Sequence, residues 1–194
     1  SLYTMTIKGG KTMKTVPAPT EVNINNICNH KGTIQKFSAA FGIENLKVRL
    51  FRKDKLKDQS LITDFSSLIG INDLLDELEI PPNRNEGLSL LGLKILRNLN
   101  EKLPKFNNTG LNMERIGLEE LISKHFSLPK FVMSKETYEV YDAQFEESNE
   151  WVRVNFFPEE EKLFPMKNIK PSTVSISDDE IQDISNTIYS LWQK

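Results

Sequence analysis

The chain has very little cysteine, glycine or proline, and it has no long apolar run. Cys28 is the only cysteine among 194 residues, so an internal disulfide framework is excluded and a reducing compartment, the cytoplasm, is the expected location. Nine glycines and nine prolines without a period exclude collagen-like and low-complexity chains. No run approaches the ~20 apolar residues of a membrane span, and the sequence does not open with a signal peptide.

The net charge is also small, at −2. This value excludes the simplest class of nucleic-acid-binding domain, which is strongly basic, so no nucleic-acid partner is expected. The small sum conceals a division along the chain, because residues 1–57 have an excess of +8 and residues 58–194 an excess of −10. The N-terminal part therefore faces either an anionic ligand, such as a phosphate or a sulfate, or only solvent.

Apolar spacing predicts a chain that is mainly helical. Residues 20–41 place Ile24, Ile27, Ile34, Phe37 and Phe41 at helical intervals, and Gly42 follows where a left-handed cap belongs. Similar spacing predicts further helices over residues 64–71, 88–99, 118–125 and 134–156.

The last helix is predicted to begin at Ser177. Ser177 and Glu180 have the spacing of a capping box, in which each side chain pairs with the backbone N–H of the other residue. The helix behind this cap is expected to bury one stripe of side chains, namely Ile181, Ile184, Ile188 and Leu191.

Leu46–Phe51 alternates apolar and basic residues, which predicts a strand that buries Leu46, Val48 and Leu50. Helix, glycine and strand in this order indicate an α/β unit. A lone strand cannot satisfy its backbone groups, so other strands are expected to pair with it. The sequence therefore predicts one domain over residues 1–194, of α/β class, predominantly helical and with few strands.

Two short motifs do not support the chemistry that they suggest. Gly9-Gly10-Lys11-Thr12 has Met5 where a phosphate-binding loop has its first glycine, and prolines follow where the helix should open. Cys28 and His30 lack the additional ligands that structural zinc requires. We therefore predict no metal site, and we identify no catalytic residue.

Four segments resemble bacterial sulfotransferase-like proteins of the P-loop superfamily in order and spacing. They fall within residues 33–165 and are Phe41–Phe51, Asp64-Phe65 with Ile69–Ile71, Asn85–Ser89 with Arg97–Asn100, and Phe145–Asn149 with Leu163-Phe164. The resemblance implies a partial P-loop sulfotransferase-like fold, of which this chain is the C-terminal half.

The resemblance also implies a reaction. These enzymes transfer a sulfuryl group from 3′-phosphoadenosine-5′-phosphosulfate, the donor, to a hydroxyl acceptor that is often a carbohydrate. The family holds the 3′-phosphate with an arginine and, eight residues later, a serine that opens a Ser-x-Tyr leading into a helix. Ser1-Leu2-Tyr3 is similar to that ending, so the resemblance assigns Ser1 to donor binding and implies a helix over residues 1–8.

The family's Lys-Ser/Thr-Gly-Thr-Thr-type loop, which binds the 5′-phosphosulfate, has no counterpart in this sequence. The resemblance therefore implies a chain that lacks the N-terminal portion with that loop, and no bound donor is expected. Donor binding would use cations at the end of the predicted strand, because ligands of open α/β sheets sit at strand ends. Arg49 lies in the strand, on the face opposite Val48, and the cations that follow the strand are Arg52, Lys53, Lys55 and Lys57. The alternative is a non-catalytic α/β or helical interaction module.

Overall fold

The computed structural model describes residues 2–77, 87–108, 110–165 and 170–193. Within these residues the chain is mostly helical and has a single two-stranded antiparallel sheet, which confirms a predominantly helical chain with few strands. The helices are α1 (Leu2–Lys8), α2 (Val22–Cys28), α3 (His30–Phe41), α4 (Leu61–Ile69), α5 (Leu90–Lys102), α6 (Leu118–His125), α7 (Lys135–Phe156) and α8 (Asp178–Trp192), and the strands are β1 (Phe106–Asn107) and β2 (Gly110–Leu111).

The chain divides into two compact units. Unit 1 comprises Ser1–Asn25, Arg84–Phe145 and Pro165–Lys194, and unit 2 comprises Asn26–Asn83 and Glu146–Phe164. The single domain expected over residues 1–194 stays a prediction. Among the described helices, none is both long enough and apolar enough to cross a membrane.

Helix α5 is the centre of unit 1. Ser89 caps its start, and the Ser89 hydroxyl accepts a hydrogen bond from the Gly92 N–H at 3.0 Å. Apolar side chains cover most of its circumference, which is typical of a buried helix. The buried core around α5 comprises Tyr3, Ile7, Leu88, Leu93, Ile95, Leu96, Leu99, Leu103, Leu118, Ile122 and Ile181.

The capping box at the start of α8 is confirmed. The Ser177 hydroxyl accepts from the Glu180 N–H at 3.2 Å, and the Glu180 carboxylate accepts from the Ser177 N–H at 2.8 Å. The buried stripe behind the cap is correct for three of its four members. Ile181 is fully buried, and the two isoleucines that follow it at helical spacing pack against the same core.

The predicted burial of Leu191, the fourth member of that stripe, is wrong, because its side chain is 63% exposed. Trp192 packs against the core instead, and its indole Nε1 donates to the Glu114 carbonyl at 2.6 Å. The indole ring therefore occupies the core position of the last turn, and Leu191 faces solvent.

Unit 2 has a small core and two short helices where one was predicted. Asn29 separates α2 from α3, and its side chain accepts from the Gly32 N–H at 2.9 Å. Gly42 ends α3 with φ 82° and ψ 141°, so the expected positive φ is present but the left-handed helical ψ is not. Within unit 2 the buried apolar side chains are those of Leu50, Val152 and Leu163.

Two predicted members of the helical stripe, Phe37 and Phe41, are 53% and 62% exposed. Their rings stack on each other with centroids 6.1 Å apart. The helical spacing was correct, but this face of α3 is exposed and not part of the unit 2 core.

The strand predicted over Leu46–Phe51 is wrong, because this segment is extended but belongs to no sheet. Its alternation is nevertheless real, since Leu50 is buried, Val48 is half-buried and Arg49 is exposed. Burial of every second side chain requires only an extended backbone, whereas a strand also requires a neighbouring strand to pair with. No described segment of unit 2 supplies one.

Candidate functional site

Helix α1 is held at its C-terminal end by one buried amide. Asn100, on α5, is 2% exposed, and its Nδ2 donates to the carbonyls of Ile7 at 2.9 Å and Lys11 at 2.8 Å. The last carbonyls of a helix have no partner within the helix. The Ile7 carbonyl accepts from Asn100 and also from the Gly10 N–H at 3.0 Å, whereas the Lys11 carbonyl belongs to the chain that follows α1. Asn100 therefore fixes the end of α1 against α5.

The Gly9-Gly10 pair lets the chain that leaves α1 pass close to Lys105. Gly10 has φ 96°, a conformation that favours glycine, and a Cβ at this position would lie 2.6 Å from the Cβ of Lys105. The pair therefore ends α1 and does not open a helix, as a phosphate-binding loop would.

Tyr3 connects α1 to the chain that follows the glycine turn. Its hydroxyl donates to the Met13 carbonyl at 3.2 Å and the Lys14 carbonyl at 3.3 Å, and its ring lies 5.5 Å from the ring of Phe131. Burial raises the pKa of Tyr3, and the nearby positive charge of Arg97 partly opposes that rise. Tyr3 is therefore a neutral, well-anchored side chain, and it is the tyrosine of the Ser-x-Tyr ending.

Asp178, an exposed carboxylate at the start of α8, lies near three cations. The Lys94 Nζ lies 2.7 Å from Asp178 Oδ1, and the charges of Lys94, Arg97 and Lys14 all lower the pKa of Asp178, with Lys94 contributing most. The buried Nε of Arg97 has no hydrogen-bond partner among the described residues. The three cations are matched in number by Asp178, Asp179 and Glu180 in the first turn of α8, so the feature of this place that suits an anion such as a phosphate is the unused guanidinium donor.

We name this place the α1–α5 junction and define it by Tyr3, Lys14, Lys94, Arg97 and Asn100. The resemblance to sulfotransferase-like proteins includes the segment Arg97–Asn100, but the sequence alone gave this segment no role. A signal was present, because asparagine is unfavourable in a helix interior and α5 has two, Asn98 and Asn100, both buried.

Three of the five cations predicted to serve donor binding are engaged with carboxylates in unit 2. Arg49 pairs with Asp64, Arg52 lies 2.8 Å from Glu160, and Lys55 also contacts Glu160. These contacts lower the pKa values of both carboxyl groups; Lys55 contributes most at Glu160, and Arg49 most at Asp64. Much of the positive excess of this segment is therefore compensated within unit 2.

Ser148, in the fourth of the resembling segments, fixes the start of α3. Its hydroxyl accepts from the Lys31 N–H at 3.0 Å and donates to Asn29 Oδ1 at 3.2 Å, while Lys31 Nζ pairs with Glu147 at 2.6 Å. A buried polar side chain therefore holds a helix end in unit 2, as Asn100 does in unit 1.

Cys28 and His30 do not belong to a cluster of metal-ligating side chains within the described residues. Burial raises the pKa of the Cys28 thiol and lowers the pKa of the His30 imidazole. The His30 ring packs against Phe164 with centroids 5.5 Å apart, which is the arrangement of a neutral packing residue. Ser1, assigned to donor binding by the resemblance, lies outside the described residues.

No family model, curated protein or solved structure matches this chain at a significant level.

Proposed function

We propose that this chain is the portion of a sulfotransferase-like protein that follows the phosphosulfate loop, and that its α1–α5 junction contacts the nucleotide end of the donor. The observation on which the proposal chiefly rests is the contact between Asn100 and the end of α1. Asn100 belongs to the resembling segment Arg97–Asn100, and its hydrogen bonds hold α1, the helix that begins directly after Ser1. The helix implied for residues 1–8 by the Ser-x-Tyr ending is present over Leu2–Lys8, which also supports the proposal.

In the proposed reaction, the sulfuryl sulfur leaves the bridging oxygen of the donor's 5′-phosphosulfate and bonds to the acceptor hydroxyl oxygen. The bonding pair of the broken bond stays on the released adenosine 3′,5′-bisphosphate, and the acceptor proton passes to a base that is not among the residues assigned here. A carbohydrate is the acceptor class that the resemblance favours. The role of the α1–α5 junction is to position the nucleotide and to compensate phosphate charge.

The test is a calorimetric titration of the chain with adenosine 3′,5′-bisphosphate at low salt, beside a titration with adenosine. We expect a Kd on the order of 0.1–1 mM for the bisphosphate, a loss of affinity as salt rises, and no measurable binding of adenosine. Lys14→Gln should weaken the binding severalfold, since one of the three cations is removed.

Lys47→Gln is the matched control, because Lys47 is an exposed lysine of unit 2. It should leave the affinity unchanged. The proposal is wrong if the bisphosphate does not bind at low salt, or if Lys14→Gln and Lys47→Gln weaken its binding equally.

A second candidate function, a non-catalytic interaction module, is favoured by the exposed apolar side chains of unit 2. Phe51 is 79% exposed, and Phe65, on α4, is 57% exposed. The coding sequence upstream of Ser1 distinguishes the two functions. An apolar strand followed by a Gly-Lys-Thr/Ser-rich loop supports the enzyme, whereas a start codon at or just before Ser1 supports the module.

A further inference from the structure

A groove in unit 2 lies between α3 and the C-terminal turns of α7. It has a volume of about 450 Å³, and its walls include Gln35 and Ser38 on one side and Trp151, Asn155 and Phe156 on the other. The Trp151 and Phe156 rings meet edge to face, with centroids 5.9 Å apart. This volume is in the range of pockets that hold small molecules.

The chemistry of the groove is that of a site for a neutral, hydroxyl-rich ligand. None of the described residues that line it is charged, so an anion has no countercharge there and a cation has none either. Asn155 Nδ2 donates to the Trp151 carbonyl at 2.8 Å, which leaves the amide oxygen Oδ1 as an acceptor. Gln35 and Ser38 add side chains that both donate and accept hydrogen bonds.

An aromatic wall and uncharged polar side chains complement the two kinds of surface on a sugar ring. The axial C–H groups form an apolar face that can stack on an indole, while the ring hydroxyls both donate and accept. A purely apolar peptide would give no partner to the Gln35 amide or to the Asn155 oxygen, which is unfavourable on burial.

We propose that this groove binds one or two rings of a neutral carbohydrate. Only the role of the sugar as the sulfuryl acceptor rests on the proposed function. Binding itself requires neither the donor nor the α1–α5 junction, so the two proposals fail independently.

The test uses tryptophan fluorescence of the full chain with the substitution Trp192→Phe. The chain has two tryptophans, so this variant leaves Trp151, in the groove, as the only reporter. The probes are maltotriose, cellotriose and N,N′-diacetylchitobiose, with adenosine and inorganic phosphate as non-sugar comparators. We expect saturable fluorescence changes with at least one sugar, in the millimolar range, and none with phosphate.

In the same background, Gln35→Ala and Asn155→Ala should each weaken sugar binding about fivefold, the effect of losing one direct hydrogen bond. Both side chains are exposed, so the fold should persist, which circular dichroism checks. Gln144→Ala is the matched control, because Gln144 is an exposed amide of α7 that does not line the groove, and it should have no effect.

Three results overturn the proposal. One is the absence of any saturable change with all three sugars. Another is a change with adenosine alone, which would make the groove a site for a flat heterocycle. The third is sugar binding that survives both Gln35→Ala and Asn155→Ala.

Discussion

The two units of this chain are stabilised in different ways. Among the described residues, unit 1 buries eleven apolar side chains in one core around α5, and unit 2 buries three. Unit 2 compensates with ion pairs, in which Arg49 pairs with Asp64, and Arg52 and Lys55 meet at Glu160. The carboxylates of these pairs are largely buried, and the cost of removing charged groups from water offsets much of the attraction in such pairs. Unit 1 should therefore resist unfolding more strongly than unit 2.

The units also differ in what they leave at the surface. Both units pair cations with carboxylates, since Lys94 meets Asp178 in unit 1 and Arg49 meets Asp64 in unit 2, but unit 2 also exposes aromatic side chains such as Phe41 and Phe51. A charge excess in the sequence therefore does not by itself show where positive charge is available. Availability depends on which carboxylates fold against the cations.

The largest difference between the units should come from the same deletion made in each core. Leu96→Ala removes a fully buried side chain of α5 and should lower the free energy of unfolding by about 2–5 kcal/mol. Leu50→Ala should cost less, because Leu50 is 8% exposed and has a smaller core around it. Chemical denaturation measures both, and equal losses would contradict the proposed difference between the cores.

Removing the amide that holds α1 should have the next largest effect. Asn100→Ala leaves the Ile7 and Lys11 carbonyls without their side-chain donor and should destabilise the chain by about 1–3 kcal/mol. Hydrogen exchange followed by mass spectrometry should also show faster exchange in α1. The control is Asn155→Ala in unit 2, after which exchange in α1 should be unchanged.

The cap of α8 should have a smaller effect. Ser177→Ala removes one partner of the capping box and should lower stability by about 1 kcal/mol. Ser190→Ala, an exposed serine of the same helix, should be neutral. The boundary at Ser177 would be contradicted if both variants melted at the temperature of the parent.

The smallest expected effect is a pH dependence that belongs to unit 2. Lys55 and Arg52 lower the pKa of Glu160 in the folded chain, so the unfolded chain takes up its proton at higher pH than the folded chain. The stability from this carboxylate is present above the ordinary glutamate pKa of about 4.3 and is lost as pH falls through the lowered value. Glu160→Gln should reduce the loss of stability of unit 2 in that window; an unchanged acid profile would show that this contact contributes nothing.

The sequence predicted helices well because their caps and apolar spacing are local. The start of α8 is specified by Ser177 and Glu180, and the start of α5 by Ser89, whose hydroxyl accepts from the Gly92 N–H. In both cases the cap involves residues no more than three positions apart. The segment around Val48 failed as a strand because pairing depends on a distant partner, which alternation cannot reveal. Leu191 failed because the choice between it and Trp192 depends on where the Glu114 carbonyl lies.

The candidate site was harder to predict, since its members come from three separate parts of the chain. Tyr3, Lys14 and Arg97 are brought together only when α1 and the chain after it pack against α5. The resemblance selected two of the segments involved, and the hydrogen bonds of Asn100 connect one of them to α1.

The central proposal is that the cations of the α1–α5 junction contact a phosphate-bearing nucleotide. The most direct measurement is a two-dimensional NMR titration of the ¹⁵N-labelled chain with adenosine 3′,5′-bisphosphate at low salt. The account predicts saturable shifts of amides near Tyr3, Lys14 and Arg97, with residues 49–57 of unit 2 unaffected. Shifts confined to residues 49–57, or no shifts in either unit, would contradict it.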